Sequence, residues 1–177
     1  FGGIETPFTT DVHRYVVPEF IMKAIVAASE KLRDTRKILC CLPSHISGHF
    51  QKNPALSRIQ FRSPAHKEFL EILKAASLYV VQPGLYGPFE AFQYEIPTVF
   101  TTPFSYTQVC QARAYDKLRL LGEVPCWKDL NEKLEKEIGD IEYEEYKLFS
   151  NISNWLKSTK DSNKTKNQYR EWAEEAL

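Results

Sequence analysis

The first two thirds of the chain alternate between short apolar runs and longer stretches with apolar residues at helical spacing. The apolar runs predict four buried strands, at residues 37–42, 58–61, 78–81 and 98–101. The other stretches predict helices at residues 18–32, 65–76, 87–94 and 106–119. Apolar strands that alternate with helices are typical of a parallel sheet covered by helices on both faces. The pattern therefore predicts an α/β fold.

The first helix and the segment after the first strand carry specific signals. Pro18 opens the helix. Its predicted buried face comprises Ile21, Ala24, Ile25, Ala28 and Leu32. After the strand, His45 and His49 have the spacing of one helical face, but Pro43 and Gly48 predict a loop there.

The last third of the chain has a different organisation. Residues 127–138 and 142–157 have leucines and isoleucines at four-residue spacing and predict two helices. Residues 157–167 are polar and predict a linker before a final helix that carries Tyr169 and Trp172. We therefore expect one domain over residues 1–125 and a helical extension over residues 126–177 that packs on it.

The charge balance argues against two classes of partner. Lys plus Arg and Asp plus Glu both number 23, so the formal net charge is zero. Binding to nucleic acid independently of its sequence requires a basic excess, and so does binding to an anionic membrane surface. No apolar run approaches the roughly 18 residues of a spanning helix. We expect neither a nucleic-acid partner nor a membrane span.

The cysteines and histidines predict reduced thiols and no metal site. Cys40 and Cys41 are adjacent in a predicted strand, where their side chains point to opposite faces and cannot form a metal claw. Cysteines are too sparse for a disulfide scaffold, which favours a cytoplasmic protein. His45 and His49 lack a third ligand at a matching spacing. Because Phe1 is neither an initiator Met nor part of a charged leader, we expect further sequence upstream.

The loop at residues 82–90 is the best candidate for a ligand site. Ligands of open parallel sheets bind beyond the carboxyl ends of the strands, and this loop runs from a strand directly into a helix. Gly84 and Gly87 allow a ligand close to the backbone, and helix N-termini favour phosphate. With Gly87 as the N-cap, Glu90 falls in the first turn, where it could accept hydrogen bonds from ribose hydroxyls. The alternative is that Glu90 only caps the helix and interacts with its dipole.

The segment from Gln82 to Gln108 resembles the donor-site signature of GT-B glycosyltransferases, as found in UDP-glycosyltransferases and in the transferase that adds N-acetylglucosamine to lipid I. That signature is roughly H-G-G-x-x-[GST]-x-x-E-A, then G-[IVL]-P-x-V, then Pro with Gln five residues later. The chain has QPGLYGPFEA from Gln82, IPTV from Ile96, and Pro103 followed by Gln108. The resemblance implies the C-terminal half of a GT-B fold, a Rossmann-like domain that binds a nucleotide sugar.

The resemblance also assigns roles to individual residues. Glu90 would hold the ribose hydroxyls, Gln108 would reach the donor sugar, and Arg62 would stack on the base. Other positions of the signature border the diphosphate and the cleft. These are Gly2, Gly3, Gln82, Gly84, Tyr86, Gly87 and Thr107. Gln82 stands where the family has a His, Pro83 replaces a glycine, and Thr107 replaces an acidic residue.

The resemblance implies a metal-independent, inverting transferase that uses a nucleotide sugar, by family frequency a UDP sugar, as co-substrate and needs no cofactor. The catalytic base would come from its own N-terminal acceptor-binding domain, so this chain alone should be inactive in transfer. Two alternatives stay open: a nucleotide-sugar 2-epimerase or hydrolase of GT-B fold, and a degenerate domain that binds a nucleotide without catalysis.

Overall fold

The computed structural model describes residues 12–103, 105–118, 167, 170, 171 and 173–175, and it is mixed α/β over them. A π-helical turn, Val12–Val16, leads into helix α1, Val17–Lys31. Strand β1, Ile38–Cys41, is followed by α2, Ser44–Phe50, a 3-10 turn, Pro54–Leu56, and β2, Ile59–Arg62. Then come α3, His66–Lys74, β3, Tyr79–Val81, α4, Tyr86–Gln93, β4, Thr98–Phe100, and α5, Tyr106–Leu118.

The strands form two parallel pairs. β1 pairs with β2 in a register that aligns Ile38 with Ile59, and β3 pairs with β4 in a register that aligns Tyr79 with Thr98. Each pair is joined by a crossover that contains a helix, as parallel strands require. The prediction of parallel strands alternating with helices is confirmed at this level.

The best-defined core lies between α1, the first strand pair and α2. Its buried members are Met22, Val26, Cys40, Leu42, Ile46, Phe50, Leu56 and Ile59. Phe50 and Phe61 stack with their ring centroids 6.1 Å apart, which joins α2 to β2. Burying such aliphatic and aromatic side chains stabilises the fold by about 1.5–3 kcal/mol each.

The buried face of α1 differs in part from the predicted one. Ile21, Ala24 and Ala28 are buried as predicted, but Ile25 is only half-buried and Leu32 is 48% exposed. Met22 and Val26 are buried instead, because this face of the helix contacts β1 and the 3-10 turn. The helix is therefore covered over a wider arc than a single apolar stripe predicts.

The loop predicted after the first strand is wrong, because residues 44–50 form α2. Pro43 is the N-cap of this helix, a position that needs no backbone N–H. Gly48 has open space where a Cβ would stand, so nothing nearby requires glycine there. Ile46 and Phe50, four residues apart, are both buried, and this packing outweighs the local breaker signals.

The C-terminal segment contacts α1 where the structure describes it. Ala173 is 1% exposed, and the Glu174 carboxylate lies 2.5 Å from the Lys31 ammonium group. The predicted boundary at residues 125 and 126, the two helices after it and the linker lie outside the described residues.

Candidate functional site

The turn after β3 is held from two sides. The Thr101 amide donates to the Val81 carbonyl at 2.9 Å, which continues the ladder between the two strands past their ends. The Tyr115 hydroxyl of α5 donates to the Gly84 carbonyl at 2.8 Å. Burial raises the pKa of Tyr115, so its hydroxyl remains a donor at neutral pH. Residues 82–85 are therefore fixed between β3, β4 and α5.

Helix α4 starts two residues earlier than an N-cap at Gly87 predicts. Its N-cap is Leu85 and it begins at Tyr86, so the prediction of Gly87 as the N-cap is wrong. A Cβ on Gly87 would lie 3.0 Å from the Tyr79 hydroxyl and 3.1 Å from Cγ2 of Val81. Gly87 thus lets α4 pack closely on β3, which is a known use of glycine where a strand leads into a helix.

Because α4 starts earlier than predicted, Glu90 does not lie in its first turn. Glu90 is the fifth residue of α4, the first turn contains no acidic residue, and no side chain caps the helix. Glu90 therefore does not cap this helix, and the alternative prediction is wrong. Its carboxylate instead lies 3.4 Å from Nε2 of His66, the first residue of α3.

Glu90 is also near the buried hydroxyl of Tyr79. The pKa of Tyr79 is raised far above its usual value, first by burial and second by the negative charge of Glu90. Tyr79 therefore stays neutral, and its ring lies 6.2 Å from that of Phe69, which links β3 to α3. These contacts place Glu90 between α3 and the start of β3.

The predicted base-binding residue Arg62 is the last residue of β2. Its guanidinium lies 4.0 Å from the Glu68 carboxylate, and both side chains are about half exposed, at 51% and 56%. A contact this long between exposed groups is worth little, so Arg62 can exchange it for another partner. Within the described residues, Arg62 is thus paired with α3 and not with Glu90.

Gln82 and Thr102 are polar side chains buried at the carboxyl ends of neighbouring strands. Gln82 is 2% exposed and Thr102 is 0% exposed. In the described part of the chain, no hydrogen-bond partner is found for Oε1 or Nε2 of Gln82, or for Oγ1 of Thr102. A buried polar group without a partner costs about 1–3 kcal/mol, so a partner at this place would be favourable.

The remaining predicted residues occupy separate positions. Tyr86 is 79% exposed, and its neighbours Leu85, at 50%, and Phe89, at 48%, are exposed as well. Thr107 is exposed and Gln108 is half-buried in the first turn of α5. The backbone amide of Gln108 donates to Oγ of Ser105 at 3.2 Å. Gly2 and Gly3 lie outside the described residues.

Three residues of this region carry no sequence signal that assigns them to it. His66 contacts Glu90, Tyr115 holds the Gly84 carbonyl, and Tyr79 packs on Gly87. His66 lies four residues after Arg62, the predicted base-binding residue, and this is the one hint that the sequence offers. The partners of all three are distant in the chain, so local patterns do not reveal them.

The two thiols of β1, those of Cys40 and Cys41, are not activated as nucleophiles. Cys40 is buried, and burial raises its pKa to about 11. Burial also raises the pKa of Cys41. Nucleophilic thiols need the opposite shift. Among the described residues, no group of three or more His, Cys, Asp or Glu side chains is arranged to hold a metal ion.

Comparisons with protein-family models, with curated proteins and with solved structures gave no match for this chain. None of the helices in the described ranges combines the length and apolar character that a membrane span needs.

Proposed function

We propose that the described domain binds the nucleotide-sugar donor of a glycosyltransferase of GT-B fold. The donor diphosphate would lie at the turn from Gln82 to Gly87, and Glu90 would accept hydrogen bonds from the ribose hydroxyls. Arg62 and Gln108 would contact the base and the sugar, and Tyr86 would border the ligand. The observation that carries the proposal is Glu90, a half-buried carboxylate on the helix that follows a parallel strand, 3.4 Å from His66 at the start of α3.

The position of Glu90 supports a ligand role over a structural one. The side chain is too far along α4 to cap it, and its contact is with an exposed histidine. A pair in which one partner is 70% exposed contributes little to stability. A carboxylate between two helices can accept two hydrogen bonds from vicinal hydroxyls.

Two features support a diphosphate near the start of α4. The first backbone amides of a helix have no partner within it and favour an anion. The buried amide of Gln82, just before the helix, also lacks a partner among the described residues. A phosphate oxygen could accept a hydrogen bond from the side-chain NH2 group of Gln82. The nearby Gly84 carbonyl already accepts a hydrogen bond from the Tyr115 hydroxyl.

The backbone after α4 also supports the resemblance. Glu95 stands at the position where the family has glycine before its Ile-Pro or Val-Pro pair, and its φ angle is 55°. That is the left-handed region, which glycine adopts without strain. The left-handed backbone at Glu95 supports the resemblance at a position where the residue type differs.

We further propose that the two strand pairs belong to one Rossmann-like sheet. In a doubly wound sheet of order 3-2-1-4-5, the first strand lies between two parallel pairs. β2 with β1 and β3 with β4 have the pairing of the outer strands of that order. This order requires one further parallel strand between β1 and β3.

The chemistry supported by this arrangement is stabilisation of a leaving diphosphate. Helix amides and the Gln82 amide would donate hydrogen bonds to the negative charge that develops as the sugar is transferred with inversion. Deprotonation of the acceptor hydroxyl would require a base from an N-terminal acceptor-binding domain. The proposal therefore predicts that this domain binds a donor without transferring its sugar.

Calorimetric titration with UDP, GDP, CDP and dTDP tests the proposal. We expect one of these nucleotides to bind, and family frequency favours UDP. Glu90→Ala should weaken its binding by about 2–3 kcal/mol, roughly a hundredfold in affinity. The control is Glu71→Ala, which removes an exposed carboxylate of α3 that pairs with Lys74. If no nucleotide binds, or if both variants bind equally well, the site is misassigned.

A binding domain without transfer activity is the second candidate. Gln82 favours this candidate, because it replaces the family His. Its side chain is also only 2% exposed, which leaves little surface for contact with a ligand. If Gln82 contacts the diphosphate, Gln82→Met should lower the affinity for UDP more than the affinity for uridine. Equal effects on both ligands would favour the second candidate.

A further inference from the structure

His66 and Glu90 form a contact that joins two separate helices. His66 begins α3 after the loop that leaves β2, and Glu90 lies in the second turn of α4. Nε2 of His66 is 3.4 Å from Oε1 of Glu90, and the His66 side chain is 70% exposed whereas that of Glu90 is 21% exposed. The histidine therefore reaches in from the surface toward a more enclosed carboxylate.

A glutamate on a helix has several accessible rotamers, and its terminal carboxylate rotates over a broad range. Recognition of a vicinal diol requires both oxygens to lie in one plane with the two hydroxyl groups. A donor that engages one oxygen from a neighbouring element reduces the number of orientations before the ligand arrives. His66 can supply this donor, because a neutral imidazole has one N–H and a protonated imidazole has two.

The other groups around this pair do not provide the same constraint. Arg62 pairs with Glu68 at 4.0 Å and not with Glu90. The Tyr79 hydroxyl is buried under Gly87, and Glu90 acts on it through its charge. Among the described contacts of Glu90, the one with His66 is thus the contact that brings a nitrogen close to a carboxylate oxygen.

We propose that His66 is a positioning residue that orients the Glu90 carboxylate toward the two hydroxyl groups of a ribose. The site then selects ribonucleoside diphosphates over their 2′-deoxy counterparts. This inference rests on the proposed function, because it assigns Glu90 to the ribose. His66 acts on the ligand through Glu90, so its removal should reduce discrimination at the 2′ position more than affinity for a deoxynucleotide.

The test is the affinity for UDP and for 2′-deoxy-UDP in the parent, His66→Ala, His66→Gln and Glu90→Ala proteins. We expect the parent to prefer UDP by about tenfold or more, and His66→Ala to lower UDP affinity by about three- to tenfold with less effect on 2′-deoxy-UDP. Gln places an amide donor near the position of Nε2, so His66→Gln should restore most of the preference. His49→Ala, at an exposed histidine of α2 that packs on Tyr15, is the control.

The outcomes separate the two proposals. If UDP binds, Glu90→Ala abolishes the preference for ribose and His66→Ala leaves it unchanged, then His66 is not a positioning residue and the donor site stands. Failure of His66→Gln to recover the preference lost in His66→Ala would also overturn the positioning role. If neither nucleotide binds the parent protein, both proposals are wrong.

Discussion

At the scale of single residues, the polar groups enclosed at the ends of β3 and β4 are the least expected feature. Gln82 and Thr102 are almost fully buried, and the described residues provide no partner for their side-chain atoms. Native structures satisfy most buried polar groups, so exceptions mark places where function or a bound molecule compensates. Gln82 and Thr102 both lie where a parallel sheet binds its ligands.

Apolar replacements of similar size should therefore stabilise the ligand-free protein. We expect Gln82→Met to raise the free energy of unfolding by about 1–3 kcal/mol and Thr102→Val by about 1 kcal/mol, because the unpaired polar atoms disappear. Urea unfolding measures both. Thr101→Val is the control, since the Thr101 hydroxyl donates to the Thr102 carbonyl at 3.4 Å and its loss brings no gain. A lower stability of Gln82→Met would mean that its amide is paired in solution.

At the scale of elements, α1 and α4 end in the same way. The amide of Asp34 bonds to the Ser29 carbonyl, and the amide of Ile96 bonds to the Ala91 carbonyl. Arg33 and Glu95 each lie one position before, with φ angles of 54° and 55°. This is the Schellman arrangement, in which glycine is the usual residue.

Glycine at these two positions should stabilise the fold. We expect Glu95→Gly and Arg33→Gly each to raise the free energy of unfolding by about 0.5–1 kcal/mol, since the cost of a left-handed Cβ exceeds the added chain entropy. Thermal unfolding should show an increase of about 2–4 °C per kcal/mol for a chain of this size. Glu95→Ala retains a Cβ and should change stability little. A gain in Glu95→Ala equal to that in Glu95→Gly would assign the effect to the lost charge.

The link between α5 and the turn after β3 is also set at the scale of elements. Tyr115 is 5% exposed, and its ring lies 6.2 Å from Phe89 and 6.4 Å from Phe100. Its hydroxyl holds the Gly84 carbonyl. One side chain thus packs on α4 and β4 and fixes the turn between β3 and α4, so the candidate site depends on α5 although α5 is distant from it in the chain.

At the scale of the whole molecule, the buried thiol of Cys40 makes the free energy of unfolding vary with pH in the alkaline range. Burial raises the pKa of Cys40 from 9.0 to about 11. Since the unfolded chain forms the thiolate first, the unfolded state loses protons at a lower pH than the folded state. Stability from the neutral thiol is therefore complete below pH 9 and is lost as the pH rises toward 11.

Cys40→Ala should flatten this dependence. We expect the free energy of unfolding of the parent to fall between pH 9 and pH 11 by about 2–3 kcal/mol more than that of Cys40→Ala. The comparison uses the slope with pH, because the variant also creates a cavity that lowers stability at every pH. Cys110→Ala, at an exposed thiol, should keep the slope of the parent. Identical slopes for the parent and Cys40→Ala would show that the Cys40 thiol stays accessible to water.

The sequence by itself determined the order and type of most described elements. The four strands lie within about one residue of their predicted ends, because each is a short apolar run bounded by polar or turn residues. Helices α1, α3 and α5 also follow from local spacing and nearby breakers. The turn after β3 is visible for the same reason, since a strand, two glycines and a helix follow one another directly.

Only the tertiary structure decided the contacts that give the candidate site its shape. Local breakers predicted a loop at α2, but the burial of Ile46 and Phe50 in the core favours a helix. Gly87 signals a turn in the sequence, yet packing on Tyr79 places it inside α4. His66 meets Glu90 because α3 and α4 lie side by side. Such contacts depend on the spatial arrangement of distant elements, which local spacing and propensity do not encode.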